Sequence, residues 1–281
     1  MLLNHRNRVL RLLLTSLLTA ATGGGSAEAQ SPPTGWVVYQ MPESDSSAMQ
    51  CANHSDLEWR VSLSEAGTAQ IVPRPKPYGA KSSKLPAGVK RQKGMIGAES
   101  TFKLQNGWLL GFDAGEFGGG LWFADVDGKA QELSNENVHG FVETRQGVLV
   151  FVGLAHMGLD SGKVLLVPYK ITSQTDLRTL GELDGAPEAV SKLSDDTALV
   201  ITTQGISQIA SSGVSKALLR RRFSGLYSNS IVSASDSAIY AGMRLFVVRL
   251  VPQSGQYTEQ WLVPDNCRHF RVRDLQCVCK K

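Results

Sequence analysis

Carboxylates and imidazoles recur in the segments between the apolar runs of this chain, where they could act as acids and bases. Asp113 and Glu116 lie in a glycine-rich segment, and His139 and His156 lie in or near the next two segments of this kind. A carboxylate and an imidazole can exchange protons with a substrate when both lie within hydrogen-bond distance of it. Glu116, His139 and His156 are therefore the acid–base candidates for a hydrolase or lyase that acts on a sugar or lactone.

The same segments also carry side chains that are suited to binding rather than to catalysis. Arg244 could meet an anionic group on a ligand or pair with Glu116. No GxSxG nucleophile motif is present, and the run Gly118-Gly119-Gly120 lacks the lysine of a phosphate-binding loop. A non-enzymatic binding protein is therefore favoured, the enzyme remains the alternative, and neither a metal nor a cofactor is predicted. The candidate binding face comprises Asp113, Glu116, Phe117, His139, His156, Tyr227, Asn229 and Arg244.

The three glycines after Phe117 allow two interpretations of Glu116. Glycine permits positive φ and close approach of another group to the backbone, so the loop could present the Glu116 carboxylate beside bare peptide groups to a ligand. The carboxylate could equally accept hydrogen bonds from its own loop. Both interpretations remain open from the sequence.

The elements that must position these side chains are predicted to be short β-strands in a repeating pattern. Polar turns between two apolar runs recur near residues 106, 146, 195 and 236, a spacing typical of propeller blades. No stretch shows sustained helical periodicity. The sequence predicts an all-β fold, a small β-propeller of four-stranded blades with about five blades, although four or six also fit the pattern. A β-sandwich is the alternative fold.

Each regular unit is predicted to contain strands a, b, c and d. Strand direction alternates in such a blade, so the b–c loops and d–a connectors of all blades should emerge on one face. An additional N-terminal unit is predicted from 36–40, 57–63 and 69–72, a Pro/Lys-rich excursion at 74–93, and a closing strand within 268–274 beside the N-terminal unit. The regular strands are 100–104, 108–112, 121–126 and 129–133; 139–143, 148–154, 163–169 and 177–183; 189–193, 198–202, 206–210 and 215–219; and 230–234, 238–241, 245–251 and 257–263.

The first residues predict export from the cytoplasm. Residues 1–29 combine an arginine-containing leader, a short apolar run and the sequence Ala27-Glu28-Ala29, which is typical of a secretory signal peptide. Residues 30–35 then form a flexible linker, and 36–281 form a single propeller-like domain. Removal of residues 1–29 lowers the formal net charge from +4 to +2, which does not indicate nucleic-acid binding. We expect a periplasmic or secreted monomer, without a membrane span in the mature chain, that binds a protein or a cell-wall ligand.

Four cysteines in an exported chain predict two disulfide bonds. The favoured pairing joins Cys51 to one C-terminal cysteine and Cys267 to another, which would tie the two chain ends together. A zinc site with His54 and His269 is the alternative, but zinc ligation by cysteine is disfavoured in an oxidising compartment. The candidates are Cys51, Cys267, Cys277 and Cys279.

Two motifs resemble a known group of proteins. The segment 115–122 (GEFGGGLW), and the pair 240–244 (YAGMR) and 246–250 (FVVRL), resemble uncharacterised exported β-propeller-like proteins of Gram-negative bacteria. The resemblance covers about residues 98–264 and implies a propeller fold and an exported protein, but no activity. A weaker likeness is to periplasmic propeller-type immunity proteins that inhibit peptidoglycan hydrolases, and no inhibitory motif of that group is matched here.

Overall fold

The computed structural model describes residues 31–39, 52–55, 57–75, 85–172 and 176–265. The predicted signal peptide, the closing strand predicted in the tail and all four cysteines lie outside these residues. No helix among the described residues is both long enough and apolar enough to cross a membrane.

The first three strands are β1 (Trp36–Tyr39), β2 (Leu57–Leu63) and β3 (Ala69–Pro75). Strands β2 and β3 form an antiparallel pair, here called the N-terminal hairpin, which is two-stranded in the described residues. Leu57 pairs with Pro75 and Trp59 with Pro73 in this hairpin. The two prolines are compatible with pairing because proline can occupy an edge strand, where it does not need to donate to a second neighbour.

The regular part of the chain forms four antiparallel blades. In each of them the first strand is innermost, and the inner strands contact one another from blade to blade and then contact the N-terminal hairpin. Blade I contains β4 (Ala98–Leu104), β5 (Gly107–Asp113), β6 (Gly119–Asp125) and β7 (Ala130–Ser134); blade II contains β8 (Val138–Thr144), β9 (Gly147–His156), β10 (Leu159–Val167) and β11 (Arg178–Leu183); blade III contains β12 (Pro187–Ser194), β13 (Thr197–Thr202), β14 (Gly205–Ala210) and β15 (Ser215–Arg220); and blade IV contains β16 (Ser230–Ser233), β17 (Ile239–Gly242), β18 (Val247–Gln253) and β19 (Gln256–Pro264).

The fold is therefore a small β-propeller, and the predicted all-β class is confirmed. Every predicted strand of the four regular units corresponds to an observed strand, with differences of a few residues at the ends. A three-residue 3-10 helix, Gly115–Phe117, lies in the loop between β5 and β6.

The prediction for the N-terminal unit was wrong in one respect. Strand β1 does not join β2 and β3, but pairs with β19 as the fifth and outermost strand of blade IV. Trp36 lies opposite Pro264 and Tyr39 opposite Trp261 in this pairing. A strand from the beginning of the chain thus completes the last blade, which covers an edge that β19 would otherwise leave unpaired.

The core is divided into clusters that lie between neighbouring blades. Alternate residues of β9 illustrate the arrangement: Val148, Val150 and Val152 pack against blade I, whereas Leu149 and Phe151 pack against blade III. All five side chains are fully buried. A strand buried on both faces needs a continuous apolar run rather than alternation, which explains the sequence of this strand.

The prediction that the excursion begins at residue 74 was wrong, because Arg74 and Pro75 pair with β2 as the end of β3. The described end of the excursion and the residues that follow it pack against blade I. Leu85, Val89 and Met95 contact a cluster that contains Phe112 and Trp122. Arg91 pairs with Glu99 at 2.5 Å from its Nη2 to Oε2 and also donates to the Met95 carbonyl. The described end of this segment is therefore attached to the domain through apolar contacts, while Lys90 and Lys93 remain exposed.

Candidate functional site

The loops β5–β6, β9–β10, β13–β14 and β17–β18 emerge on one side of the propeller together with the connectors between blades. We call this side the b–c face. The alternating strand direction places these segments together, as the sequence predicted, because each loop follows the second strand of its blade. Direct contacts between segments from different blades, described below, join them into one surface.

Glu116 and His156 join the loops of blades I and II. Glu116 lies in the 3-10 helix, and its Oε2 is 2.5 Å from Nε2 of His156 at the end of β9. Both side chains are partly open to solvent, with 43% of Glu116 and 37% of His156 exposed. A pair of this kind positions both groups at the surface but adds little stability, because water screens the attraction.

His139 lies deeper and contacts a different carboxylate. Its Nε2 is 3.0 Å from the Gly153 carbonyl oxygen, which can only accept, so Nε2 carries a proton. Its Nδ1 then faces Asp113 Oδ2 at 3.6 Å. Asp113 Oδ1 accepts a hydrogen bond of 2.9 Å from the Gly115 N–H, so this carboxylate also shapes the loop that carries Glu116.

The glycine run approaches the protein itself. A Cβ atom at Gly119 would overlap the side-chain oxygen of Asn137, which is buried at the start of blade II. Asn137 accepts from the Ala114 N–H at 3.3 Å and donates to the Gly115 carbonyl at 3.0 Å. The loop architecture therefore accounts for Gly119 without a ligand.

Tyr227 and Arg244 form a second group at blade IV. The Arg244 guanidinium carbon lies 3.6 Å from the centroid of the Tyr227 ring, a cation–π contact. The Tyr227 hydroxyl donates to the side-chain oxygen of Asn53, and the Arg244 N–H donates to the Leu226 carbonyl at 3.1 Å. Arg244 thus stacks on Tyr227, and among the described residues it forms no ion pair with Glu116.

Asn229 links the second group to the N-terminal hairpin. Its side-chain oxygen accepts from the Ser230 hydroxyl at 2.9 Å, and the Ser230 oxygen accepts from the Val61 N–H at 2.9 Å. Its amide nitrogen is buried and has no hydrogen-bond partner within the described part of the chain. Asn229 therefore mainly connects strands, although its amide keeps donor capacity.

The predicted site residues thus form two groups on the b–c face rather than one constellation. Glu116 and His156 meet, His139 is held by Asp113 and Gly153, and Phe117 is exposed beside them. Tyr227, Asn229 and Arg244 lie at blade IV. No ion pair or hydrogen bond between the two groups occurs in the residues that the structure describes, and these residues hold no cluster of three or more metal-ligating side chains.

Asp160 is the most extensively hydrogen-bonded carboxylate on this face. Its Oδ1 accepts from the Ala186 N–H at 2.8 Å and the Thr203 hydroxyl at 2.6 Å, and its Oδ2 accepts from the Gln204 amide at 2.6 Å. Burial raises the pKa of Asp160, but these hydrogen bonds and the charge of Arg222 outweigh burial and lower it. The carboxylate stays ionised and connects blades II and III.

Glu188 lies at the start of β12, in a bulge between Pro187 and Ala189. Its Oε2 accepts a hydrogen bond of 3.2 Å from the Ser228 N–H. Burial raises the pKa of Glu188 to about 7, although Ser228 lowers it, and the charge of Asp160 adds to the increase. Glu188 can therefore change its charge near neutral pH.

Two cavities open on the b–c face near Asp160 and Gln204. One, of about 470 Å³, is lined by Asp184, Gln204 and three consecutive arginines, Arg220 to Arg222. The other, of about 430 Å³, is lined by the 155–160 segment, Gln204, Arg222 and Ser224. The run of three arginines that begins at the last residue of β15 was the sequence signal for this region, and it was missed because it resembles an ordinary solvated charge run.

Comparison with known sequences assigns no family. No family model matches the chain, and no curated protein matches it significantly.

Several solved structures show remote similarity. They include a calcium-binding regucalcin from Agrobacterium tumefaciens (10% identity, 73% of this chain and 74% of that chain covered, TM-score 0.40) and a streptogramin B lyase (12% identity, 80% and 72% covered, TM-score 0.40). A third structure is the extracellular domain of a B. thetaiotaomicron protein described as a hybrid two component system (12% identity, TM-score 0.38). The similarity covers 58% of this chain but only 21% of the other chain. At these identities and TM-scores the similarities assign no activity.

Proposed function

We propose that this protein is a periplasmic or secreted binding protein that holds a macromolecular partner, a protein or a cell-wall polymer, on its b–c face. The observation that carries the proposal is the pair of apolar side chains at two adjacent loop tips. Phe117 is 79% exposed and Met157 is 92% exposed. Each is next in sequence to one member of the Glu116–His156 pair, which joins the two tips.

Other properties of the face support a macromolecular partner. Leu159, Tyr227 and Ile96 are also exposed there, so the apolar surface extends beyond the two tips. Exposed large apolar side chains that occur together and are surrounded by polar groups are typical of interaction sites. Aromatic residues, methionine and arginine are enriched in protein interfaces, and Phe117, Tyr227, Met157 and Arg244 supply all three kinds.

Site-specific photo-crosslinking tests this proposal with a matched control. Val126 lies in the β6–β7 turn on the opposite face and is 78% exposed, almost the same as Phe117. A photoreactive amino acid at position 117 is expected to yield a discrete crosslinked product in cells that export the protein, whereas the same amino acid at position 126 is not. Equal products from both positions, or none from 117, would reject the b–c face as the binding surface.

The Glu116–His156 contact favours one alternative, a hydrolase or lyase. A carboxylate and an imidazole 2.5 Å apart could act as a coupled acid and base on a sugar or lactone. His139 is the weaker candidate because it is already held by Asp113 and Gly153. If a screen of sugar and lactone substrates detects turnover, Glu116→Gln and His156→Ala should each abolish most of it, and unchanged turnover in both variants rules out this pair.

Export and the disulfide bonds are part of the proposal and can be tested together. N-terminal sequencing of the exported protein should find Gln30 as the first residue. Mass spectrometry without reduction should find two disulfide bonds among the four cysteines. A chain retained in the cytoplasm, or free thiols in the exported protein, would contradict these assignments.

A further inference from the structure

Three consecutive arginines, Arg220 to Arg222, begin at the last residue of β15, and Arg222 differs from the other two in forming no ion pair or hydrogen bond among the described residues. Arg220 Nη1 is 3.4 Å from Asp184 Oδ2, and Arg221 Nε is 3.4 Å from Glu259 Oε1. Arg221 also lies over the Trp261 ring, 5.3 Å from its centroid. Arg222 is exposed and forms no ion pair or hydrogen bond within the described residues.

Arg222 and Gln204 each line both cavities. We call the two cavities, with these common walls, the Arg222 cleft. Their volumes, about 470 and 430 Å³, are in the range of small-molecule sites rather than of extended polymer grooves. An unpaired guanidinium in such a position provides a fork of N–H donors for a planar or tetrahedral oxyanion.

The charge of Arg222 interacts with that of Asp160, but the two side chains form no ion pair. Both oxygens of Asp160 are already engaged by Ala186, Thr203 and Gln204 at 2.6 to 2.8 Å. Asp160 therefore fixes the Gln204 wall of the cleft and has limited capacity for a further ligand. The larger cavity is lined by three arginines and one aspartate, so its walls are net positive.

The smaller cavity adds an apolar side. Met157 and Leu159 line it and are 92% and 53% exposed. Covering such side chains with an apolar group is favourable. An organic anion could therefore place its charge at Arg222 and its apolar body against the β9–β10 hairpin.

We propose that the Arg222 cleft is a binding site for a small molecule that carries a carboxylate or phosphate group, with Arg222 as the principal contact. This site shares Met157 and Leu159 with the proposed macromolecular surface, but its principal contact, Arg222, is not part of that surface, so binding at Arg222 can be tested independently of crosslinking at position 117. Arg220 and Arg221 contribute positive potential, while their partners hold them in place.

Chemical-shift titration of the full-length chain by NMR tests the site with two probes, sodium benzoate and inorganic phosphate. We expect saturable shifts with at least one probe. Arg222→Gln should weaken binding at least about tenfold, as expected for loss of hydrogen bonds to a charged group. Arg222→Lys should lose part of the affinity because it keeps the charge but not the fork. Arg178→Gln, which removes an exposed arginine on β11, is the matched control and should bind as the unmodified chain does.

The two probes separate the possible ligand classes. Saturation by benzoate alone, weakened by Leu159→Ser, supports a carboxylate with an apolar body. Saturation by phosphate alone, unaffected by Leu159→Ser, supports a phosphate. Absence of saturable shifts with both probes, or equal affinity in the Arg222→Gln variant, overturns the proposal, and neither result bears on crosslinking at position 117.

Discussion

At the scale of single residues, the b–c face contains two carboxylates with opposite environments. Asp160 accepts three hydrogen bonds, which stabilise its ionised form, whereas Glu188 accepts from the Ser228 N–H and has a negative neighbour in Asp160. Burial is the largest cause of the raised pKa of Glu188, and fewer donors oppose burial there than at Asp160. The two residues should therefore respond differently to pH.

Glu188 makes the folded state less stable as the pH rises. Its folded pKa of about 7 lies above the usual value of 4.5, so the folded state binds more protons than the unfolded state between these pH values. Stability from this group is fully present below pH 4.5 and is lost as the pH increases towards 7. Glu188→Gln should remove this pH dependence of stability. Compared with the unmodified protein, the variant should gain about 2 kcal/mol more in the free energy of unfolding at pH 8 than at pH 5.

Urea unfolding at the two pH values measures this effect. Glu182→Gln changes an exposed glutamate on β11 and keeps Glu188, so it should show the same pH dependence of stability as the unmodified protein. The same pH dependence in the Glu188→Gln variant as in the unmodified protein would contradict the assignment.

At the scale of elements, the β5–β6 loop is held by the neighbouring blade as well as by hydrogen bonds within the loop. Asn137 bridges Ala114 and Gly115, and its side chain occupies the space beside Gly119. This contact fixes the 3-10 helix that carries Glu116 and Phe117. The position of the proposed binding tip thus depends on packing between blades I and II.

Gly119→Ala should destabilise the protein by about 1 to 3 kcal/mol, because the added methyl group displaces Asn137. Asn137→Ala should cost about 1 to 3 kcal/mol through two lost hydrogen bonds. The double variant should cost less than the sum, because Asn137→Ala removes the overlap of the methyl group with the Asn137 side chain, although the overlap with the Phe112 carbonyl oxygen remains. Gly181→Ala, where nothing lies near the new Cβ, is the control, and strict additivity in the cycle would argue against the contact.

At the scale of the whole molecule, β1 connects the beginning of the chain to its last described blade. Trp36 packs edge-on against Trp59 of the N-terminal hairpin at 4.8 Å between ring centroids, and Tyr39 lies 5.8 Å from the Phe246 ring. The Arg249 guanidinium donates to the Ser31 carbonyl at 2.9 Å. The strand therefore contacts both the hairpin and blade IV.

Trp36→Ala combined with Tyr39→Ala should lower the free energy of unfolding by about 3 kcal/mol, since both rings are half-buried and their loss leaves cavities. Val37→Ala combined with Val38→Ala changes two exposed residues of the same strand and should cost about 1 kcal/mol or less. Urea denaturation compares the two pairs. Equal losses would show that β1 contributes through pairing alone and not through its aromatic side chains.

The sequence alone predicted most of the fold because its signals are local. The apolar run of β9 reflects burial on both faces, and turns such as Asp127-Gly128 mark the strand ends whatever lies beside them. Alternation of strand direction then follows from short turns, so the sequence also predicted which loops share the b–c face. The sequence itself shows which residues occupy these loops, so Glu116 and Phe117 could be named as candidates without the structure.

The tertiary structure decided what depends on partners distant in the chain. The β-prone sequence of β1 does not specify which sheet edge it pairs with. In the structure it pairs with the edge of β19 and so belongs to blade IV. Glu116 meets His156, rather than His139 or Arg244, because the packing of blade I on blade II sets the distance between their loops. Arg222 differs from its two neighbours only because Asp184 and Glu259 reach Arg220 and Arg221 from other strands and connectors. Such contacts cannot be predicted from local sequence, because they depend on the relative positions of whole blades.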